Sequence, residues 1–441
     1  MKNQIKIESP IKPFKKQIEV SSDKSLSIRC LLLSSIALGK SKIYNLLESE
    51  DVNNTLKVIK KLGVNYIKKE KFIEVHGVGI NGFKIKNNTI IDAGNSGTLA
   101  RLIMGLCSGN EKKLKIIGDD SLSKRDFSRV ITPLNLFGVQ ILSNKNLLPI
   151  EMCGSNLLRP IIYEEKKGSA QIKTCIIFSA INTHGVTKIK ALHSRNHTEL
   201  LLKYLNYPIK IKKQKNYDLI ELQGLNQFRS FDYKIPGDIS SASFFITLTL
   251  LSKDSELLIK NINLNPSRIG ILKILKKMNA KIKILNIKNY KGELVGNIKI
   301  KSTRRLKSIN CPASLNSATI DEFLLIFLIA AKSKGISIFK ELGELNKKES
   351  PRLDVAIKFL KMIGIKTKRV KNNIKIYGNP ELKLNGKYHV KNFLKDHRVF
   401  MMSAIAALTL DGHWTIDDKD SINTSFPNFL RIVKNFGAKI N

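Results

Sequence analysis

Residues 31–45 read LLLSSIALGKSKIYN, and residues 399–416 read VFMMSAIAALTLDGHWTI. In both, an apolar run of helical length passes through a turn containing Gly into a β-rich segment. A polar loop follows, then a second helix that ends in Gly or Asn, then another β run. VIKKLGVNYI at 58–67 closes the first copy and RIVKNFGAKI at 431–440 closes the last. Four further copies begin near Ala100, Lys173, Ser243 and Phe323, closing with LNLFGVQI, YLNYPIKI, LKKMNAKIKI and FLKMIGIKTK. The spacing is roughly 70 to 80 residues, far longer than a solenoid repeat, so each copy is a small α/β unit and not one helix pair. Six such units predict two lobes of three.

Pro236 and Gly237 interrupt a β run inside IPGDISS at 235–241, which marks the passage between lobes. The expected division is 22–235 for the first lobe, and 1–21 plus 236–441 for the second. Residues 1–20 are read as an extra strand-like segment pairing with the second lobe. The chain then crosses between lobes twice, and a cleft between them is the expected place for substrates.

The 441 residues carry 76 Lys+Arg against 36 Asp+Glu, a net charge of +40. At 42% hydrophobic residues the chain is too apolar for a disordered polybasic tail. The cations are mostly Lys, spread along the whole length beside Ile and Asn, with no basic arm; this is surface lysine of the kind a low-GC genome adds. Aromatic residues are 7% and do not interleave with the charge, which argues against nucleic-acid binding. There is no uncharged apolar stretch of about 18 residues, and residues 1–10 lack the apolar core of a signal peptide, so neither a membrane partner nor secretion is expected. The five cysteines are scattered and never spaced C-x-x-C, which fits a cytoplasmic protein without disulfides or a zinc site.

The chemistry concentrates at predicted helix starts. Asp23, Lys24, Ser25 and Arg29 precede an apolar run, so unpaired backbone N–H groups, a hydroxyl and two cations share one helix end, an anion site. DAGNSGT at 92–98 opens another helix that holds Arg101, and its glycines allow backbone amides close approach to a ligand, although no nucleotide-binding motif is matched. GSAQIK at 168–173 and PGDISS at 236–241 open two more. Capping explains any one of these starts; it explains the set less well. Asp321-Glu322 and the loop 347–352, KKESPR, add carboxylates among cations, where they can act as proton donors or acceptors. Asp396-His397-Arg398 brings a further Arg, and no His spacing supports metal ligation.

These segments, with GDDSLSKR at 118–125, SRNHTELLL at 194–202 and SFPNF at 425–429, run in order along nearly the whole chain. Together they resemble the EPSP synthase family, the 3-phosphoshikimate 1-carboxyvinyltransferases. SAQIKT is similar to the bacterial subgroup with Lys after the Gln. The resemblance implies an α/β, two-lobed enolpyruvyl-transferase fold, each lobe three βαβαββ repeats around a pseudo-threefold axis. It implies transfer of an enolpyruvyl group from phosphoenolpyruvate to shikimate 3-phosphate. The sequence offers no metal cage, nucleotide loop or cofactor lysine with its own signature, so no cofactor is expected, and a monomer is expected. Lys24, Ser25, Arg29, Ser169, Ala170, Gln171, Lys173, Arg195, Asp321 and Lys348 are implied around shikimate 3-phosphate. Lys24, Gly97, Arg125, Gln171, Glu349, Arg352 and Arg398 are implied around phosphoenolpyruvate. Asp321, Glu349 and Lys24 are the candidates for proton transfer. The resemblance places Gly97 beside the pocket used by glyphosate, where tolerant relatives carry Ala, so inhibition by glyphosate is expected.

Three positions depart from the family pattern. Pro351 replaces the usual Asp before Arg352 and removes a carboxylate able to orient it. Asp126 stands after Arg125 where Pro is common, and Phe323 stands where small residues or Pro are frequent. UDP-N-acetylglucosamine enolpyruvyl transferase shares the superfold, but its loop usually carries a Cys that residues 118–128 lack.

Overall fold

The computed structural model describes residues 3–441; the reading of residues 1–20 as strand-like therefore includes two, Met1 and Lys2, that lie outside the described residues. The described chain divides into two units. One comprises Ser22–Pro236 with Tyr290–Glu293; the other comprises the described part of 1–21 with Gly237–Asn289 and Leu294–Asn441.

The first unit contains three four-stranded sheets of one topology. In the clearest, strand Thr89–Asp92 leads into helix Gly97–Leu106 and strand Lys113–Ile117, then helix Ser128–Phe137 and strands Gln140–Ser143 and Ile150–Cys153. The first two strands pair in parallel and the rest antiparallel. The same βαβαββ order recurs from Ile162–Glu165 to Tyr217–Gln223. In the remaining copy the leading strand is Asp232–Lys234, far along the chain, which pairs in parallel with Leu38–Tyr44.

The second unit repeats the scheme with three more sheets. Strand Lys15–Ile18 leads one copy, in parallel with Glu256–Asn263, and strand Gln4–Ile7 closes another, antiparallel to His413–Asp417. The N-terminal segment thus supplies both the first and the last strands of this unit's sheets. In the copy built on Gly335–Phe339, two isolated parallel bridges, Lys307 to Lys334 and Asn310 to Ile338, stand where the leading strand would be.

Each copy has one helix without a solvated face. Phe323–Ala331 is buried at every residue, and Ile239–Leu251 at all but the last. These helices pack against one another within their unit, Ile239–Leu251 against Phe323–Ala331 and His397–Leu410, and Gly97–Leu106 against Ala170–Ile181. Mutual burial is the way an all-round apolar helix removes its surface from water. The second helix of each copy is amphipathic, as in Glu50–Lys61, and covers the sheet with one face.

The ends of the buried helices are closed in a repeated manner. A hydroxyl in or two residues beyond the last turn bonds back to a carbonyl: Ser34 to Leu31, Ser108 to Gly105, Thr183 to Ser179 and Ser333 to Ala330, at 2.8–2.9 Å. Against each end lies a glycine at or just after the copy's last strand: Gly77, Gly154, Gly224 and Gly378. A Cβ there would collide with helix-end carbonyl oxygens, those of Ala180 and Thr183 in the case of Gly224. Backbone atoms cannot yield as a flexible side chain does, so Gly224→Ala should destabilise the protein by about 1–3 kcal/mol or more, as overpacking does. Thermal unfolding checks this; an unchanged melting temperature would show that the helix end can give way.

Candidate functional site

In the first unit three buried helices begin with the residues the motifs single out. Asp23 caps helix Lys24–Ser35 by accepting from the Leu26 N–H at 2.9 Å, which leaves Lys24 and Ser25 in the first turn. Lys24 Nζ pairs with Asp51 at 2.9 Å. Arg29, one turn further, is buried and donates from Nε to Thr198 Oγ1 at 2.9 Å, from Nη1 to the Ser25 carbonyl at 3.1 Å and from Nη2 to Thr174 Oγ1 at 3.1 Å. Ser96 and Ser169 are the caps of helices Gly97–Leu106 and Ala170–Ile181.

Arg101 links these starts. Its Nη1 donates to Gln171 Oε1 at 2.9 Å and to the Gly97 carbonyl at 3.3 Å, while Gln171 Nε2 donates to Thr98 Oγ1 at 3.0 Å. The Arg101 guanidinium also lies 4.7 Å from the Phe127 ring centre. Arg125 Nη2 donates to Asn95 Oδ1 at 3.1 Å and Ser121 Oγ at 3.3 Å. Gly97, Gln171 and Arg125 are therefore brought together, with Arg101 among them. Arg195 is half-buried in the loop between strand Val186–Leu192 and helix His197–Tyr204.

Lys173 stands apart from this set. Its side chain has no exposed surface and meets the buried Glu199 carboxylate at 2.6 Å. The same helix places Gln171 and Lys173 two residues apart, so their side chains point in different directions. Removing one partner of a buried ion pair leaves an uncompensated charge in a medium of low polarity. Lys173→Met should therefore cost about 3–5 kcal/mol of stability. Lys173→Met combined with Glu199→Gln should recover much of it. Denaturant unfolding of the single and double variants tests this, and a single variant as stable as the parent would contradict it.

In the second unit the motif residues converge on Arg352, the first residue of helix Arg352–Met362. The guanidinium is 1% exposed as a residue. It donates from Nε to Asp396 Oδ2 at 2.8 Å and from Nη2 to Asp396 Oδ1 at 3.2 Å and to Glu349 Oε2 at 2.6 Å; Nη1 lies 3.3 Å from Asp321 Oδ1. Burial alone would pull the Arg352 guanidinium below its ordinary range, but Asp396 and Glu349 outweigh it and hold it above. For Asp396 burial likewise pushes the carboxyl up, and Arg352 with His397 brings it below the usual value. Lys348 Nζ joins Asp321 at 3.3 Å, and Arg398 Nη1 donates to the Asp321 carbonyl at 3.0 Å. Asp321, Lys348, Glu349, Arg352 and Arg398 thus form one array.

Asp396 is the group that sequence reasoning passed over as a partner. It also caps helix His397–Leu410 through the Arg398 N–H at 3.0 Å and accepts from Ser350 Oγ at 2.8 Å. Its signal was its position immediately before an apolar helix, as for Asp23. Asp396 explains why Pro351 is tolerated, because Arg352 takes its orientation from Asp396, Glu349 and Asp321. Asp126 accepts from the Ser128 N–H and hydroxyl, both at 2.7 Å, and so fixes the loop where Pro is common. Phe323 is fully buried against Phe327 and Phe339. Among the described residues no group of three or more His, Cys, Asp or Glu is arranged to hold a metal ion, and no single helix is long and apolar enough to cross a membrane.

Two units of three βαβαββ copies, with cations and hydroxyls at the starts of buried helices, define an enolpyruvyl-transferase fold. The enolpyruvyl transferase NikO from Streptomyces tendae shares that fold at TM-score 0.76 and 14% identity, over 100% of this chain and 98% of its own. The family model described as EPSP synthase (3-phosphoshikimate 1-carboxyvinyltransferase) matches residues 9–433, and the chain belongs to that family. A 3-phosphoshikimate 1-carboxyvinyltransferase of Ruthia magnifica subsp. Calyptogena magnifica is 38% identical over 429 residues, 96% of each chain. The EPSP synthase structure from Acinetobacter baumannii matches with a TM-score of 0.86 at 32% identity, covering 99% of each chain.

Proposed function

We propose that this chain transfers the enolpyruvyl group of phosphoenolpyruvate to the 5-hydroxyl of shikimate 3-phosphate, giving 5-enolpyruvylshikimate 3-phosphate and phosphate. The observation that carries the reading is the family match over residues 9–433. Lys24, Ser25, Arg29, Ser169, Ala170, Gln171, Arg195, Asp321 and Lys348 take shikimate 3-phosphate, with Lys173 supporting them from the interior. Lys24, Gly97, Arg125, Gln171, Glu349, Arg352 and Arg398 take phosphoenolpyruvate. Both substrates carry a phosphate and a carboxylate, and cations preorganised by neighbouring side chains offset that charge without reorganising during the reaction. The convergence of Arg125 with Gly97 and Gln171, and of Arg352 with Lys348 and Arg398, supports this use.

The chemistry is addition followed by elimination. The 5-hydroxyl oxygen attacks C2 of phosphoenolpyruvate and loses its proton while C3 gains one. C2 then expels phosphate as a proton leaves C3, restoring the carbon–carbon double bond in the product. Asp321 and Glu349, with Lys24, are assigned to these proton transfers. Both carboxylates touch Arg352, which fixes their positions. Asp321→Asn and Glu349→Gln should each lower kcat by roughly 100-fold or more with shikimate 3-phosphate binding retained, the usual scale of general acid-base catalysis. A phosphate-release assay decides, and full turnover in both variants would remove the assignment.

Gly97 sets the size of the phosphoenolpyruvate pocket in this reading. A Cβ on it would lie 2.8 Å from Arg101 Nη1 and 3.2 Å from Arg125 Nη1. A methyl there both takes up space and displaces the tip of Arg101 from the Gly97 carbonyl and Gln171. The longer inhibitor should suffer more than the shorter substrate. Glyphosate should inhibit the parent enzyme competitively with phosphoenolpyruvate, and Gly97→Ala should weaken inhibition more than it raises KM for phosphoenolpyruvate. A resistant parent, or a variant equally inhibited, would refute the pocket-size account. The reading extends to a cytoplasmic monomer; all five cysteines are free thiols, as a reducing compartment allows.

A further inference from the structure

Helix His197–Tyr204 opens with three polar residues, His197, Thr198 and Glu199, none more than 1% exposed. Burying three consecutive polar side chains is costly without partners, and each of these has one through a single atom, while His197 Nε2 and Glu199 Oε2 are buried with no hydrogen bond among the described residues. His197 Nδ1 lies 2.6 Å from Glu293 Oε1. Glu199 meets Lys173 Nζ at 2.6 Å. Between these two anchors, Thr198 Oγ1 accepts from Arg29 Nε at 2.9 Å and lies 2.9 Å from Thr174 Oγ1, which accepts from Arg29 Nη2 at 3.1 Å. A hydroxyl has one donor and two acceptor sites, so the two threonines can share one hydrogen bond and still each accept from the guanidinium. The Nε edge of Arg29 is thereby fixed by side chains from two other helices, and its plane with it.

We infer that Thr198, supported by Thr174, is a positioning residue for shikimate 3-phosphate, holding the Arg29 guanidinium in the plane from which it meets an anionic group of that substrate. The Lys173–Glu199 and His197–Glu293 contacts pin the turn that carries Thr198. Lys173 therefore serves the substrate at one remove: its charge is balanced inside the protein by Glu199. This inference rests on the assignment of Arg29 to shikimate 3-phosphate in the proposed function. Guanidinium recognition of phosphate or carboxylate depends on the orientation of a planar fork, so a rotated Arg29 keeps its charge and loses its geometry.

The experiment measures shikimate 3-phosphate binding by calorimetry, together with kcat and both KM values, for Arg29→Ala, Thr198→Val, Thr198→Ser and Thr174→Val. Thr198→Val keeps the shape and removes the hydroxyl. It should weaken shikimate 3-phosphate about tenfold, the scale of a hydrogen bond to a charged group. KM for phosphoenolpyruvate should stay as in the parent, and Thr198→Ser should restore affinity. A merely structural threonine would lower stability without separating the two KM values. Should Thr198→Val not fold, Thr174→Val reads the same array through Nη2 and should also weaken shikimate 3-phosphate selectively. Normal affinity in folded Thr198→Val beside a weakened Arg29→Ala overturns the inference alone. Normal affinity in Arg29→Ala overturns the assignment of Arg29 and the inference with it.

Discussion

The packing of three apolar helices against one another within each unit is the constraint on which the rest depends. A helix such as Phe323–Ala331, buried at all of its residues, has no side face on which to carry a polar group. Its two ends are then the places where backbone hydrogen-bonding groups remain to be satisfied. At the C-terminal ends a Ser or Thr hydroxyl and a close-packed glycine strand do this, as at Ser333 and Gly378. At the N-terminal ends Asp23, Ser96, Ser169, Asp238 and Asp396 accept from the first-turn amides. Cations and hydroxyls placed beside those starts stand in the positive field of the helix ends, an arrangement that suits anions.

Charge in so apolar a framework has to be matched locally. Arg352 is enclosed by Asp396, Glu349 and Asp321, Lys173 by Glu199, and Arg268 Nη2 sits 2.9 Å from Asp238 and 2.8 Å from Ser240 Oγ. Buried pairs of this sort add little net stability, because desolvation offsets much of the attraction. What they provide is orientation: each guanidinium has its plane fixed before any ligand arrives. The net charge of +40 is thus a poor guide to the site. The buried, paired cations are few, and most of the others lie on solvated surface.

The departures from the family pattern show the same logic of substitution. Pro351 takes away a carboxylate beside Arg352, yet the guanidinium retains three carboxylate partners. Asp126 brings the Ser128 amide and hydroxyl together where a proline ring would have stiffened the loop. In each case the geometry survives because several groups share the work.

The repeat of apolar helix, glycine turn and β run was legible in the sequence because burial imposes a pattern on residue type, and the caps were legible because few residues can accept at a helix start. That patterning determined the six α/β copies, the helix starts and, through the motifs, the family. It did not show which copies borrow strands from distant segments: Asp232–Lys234 and Lys15–Ile18 look like other short β runs until their parallel partners are known. Nor did it show that Asp396 holds Arg352 or that Thr198 holds Arg29, partners 44 and 169 residues apart in sequence. Such pairs leave no local period to read, since a hydrogen bond depends on distance and angle alone. Sequence determined the elements and the kinds of group each could offer; tertiary structure decided which groups meet, because only the packed helices bring their ends within 3 Å of one another's side chains.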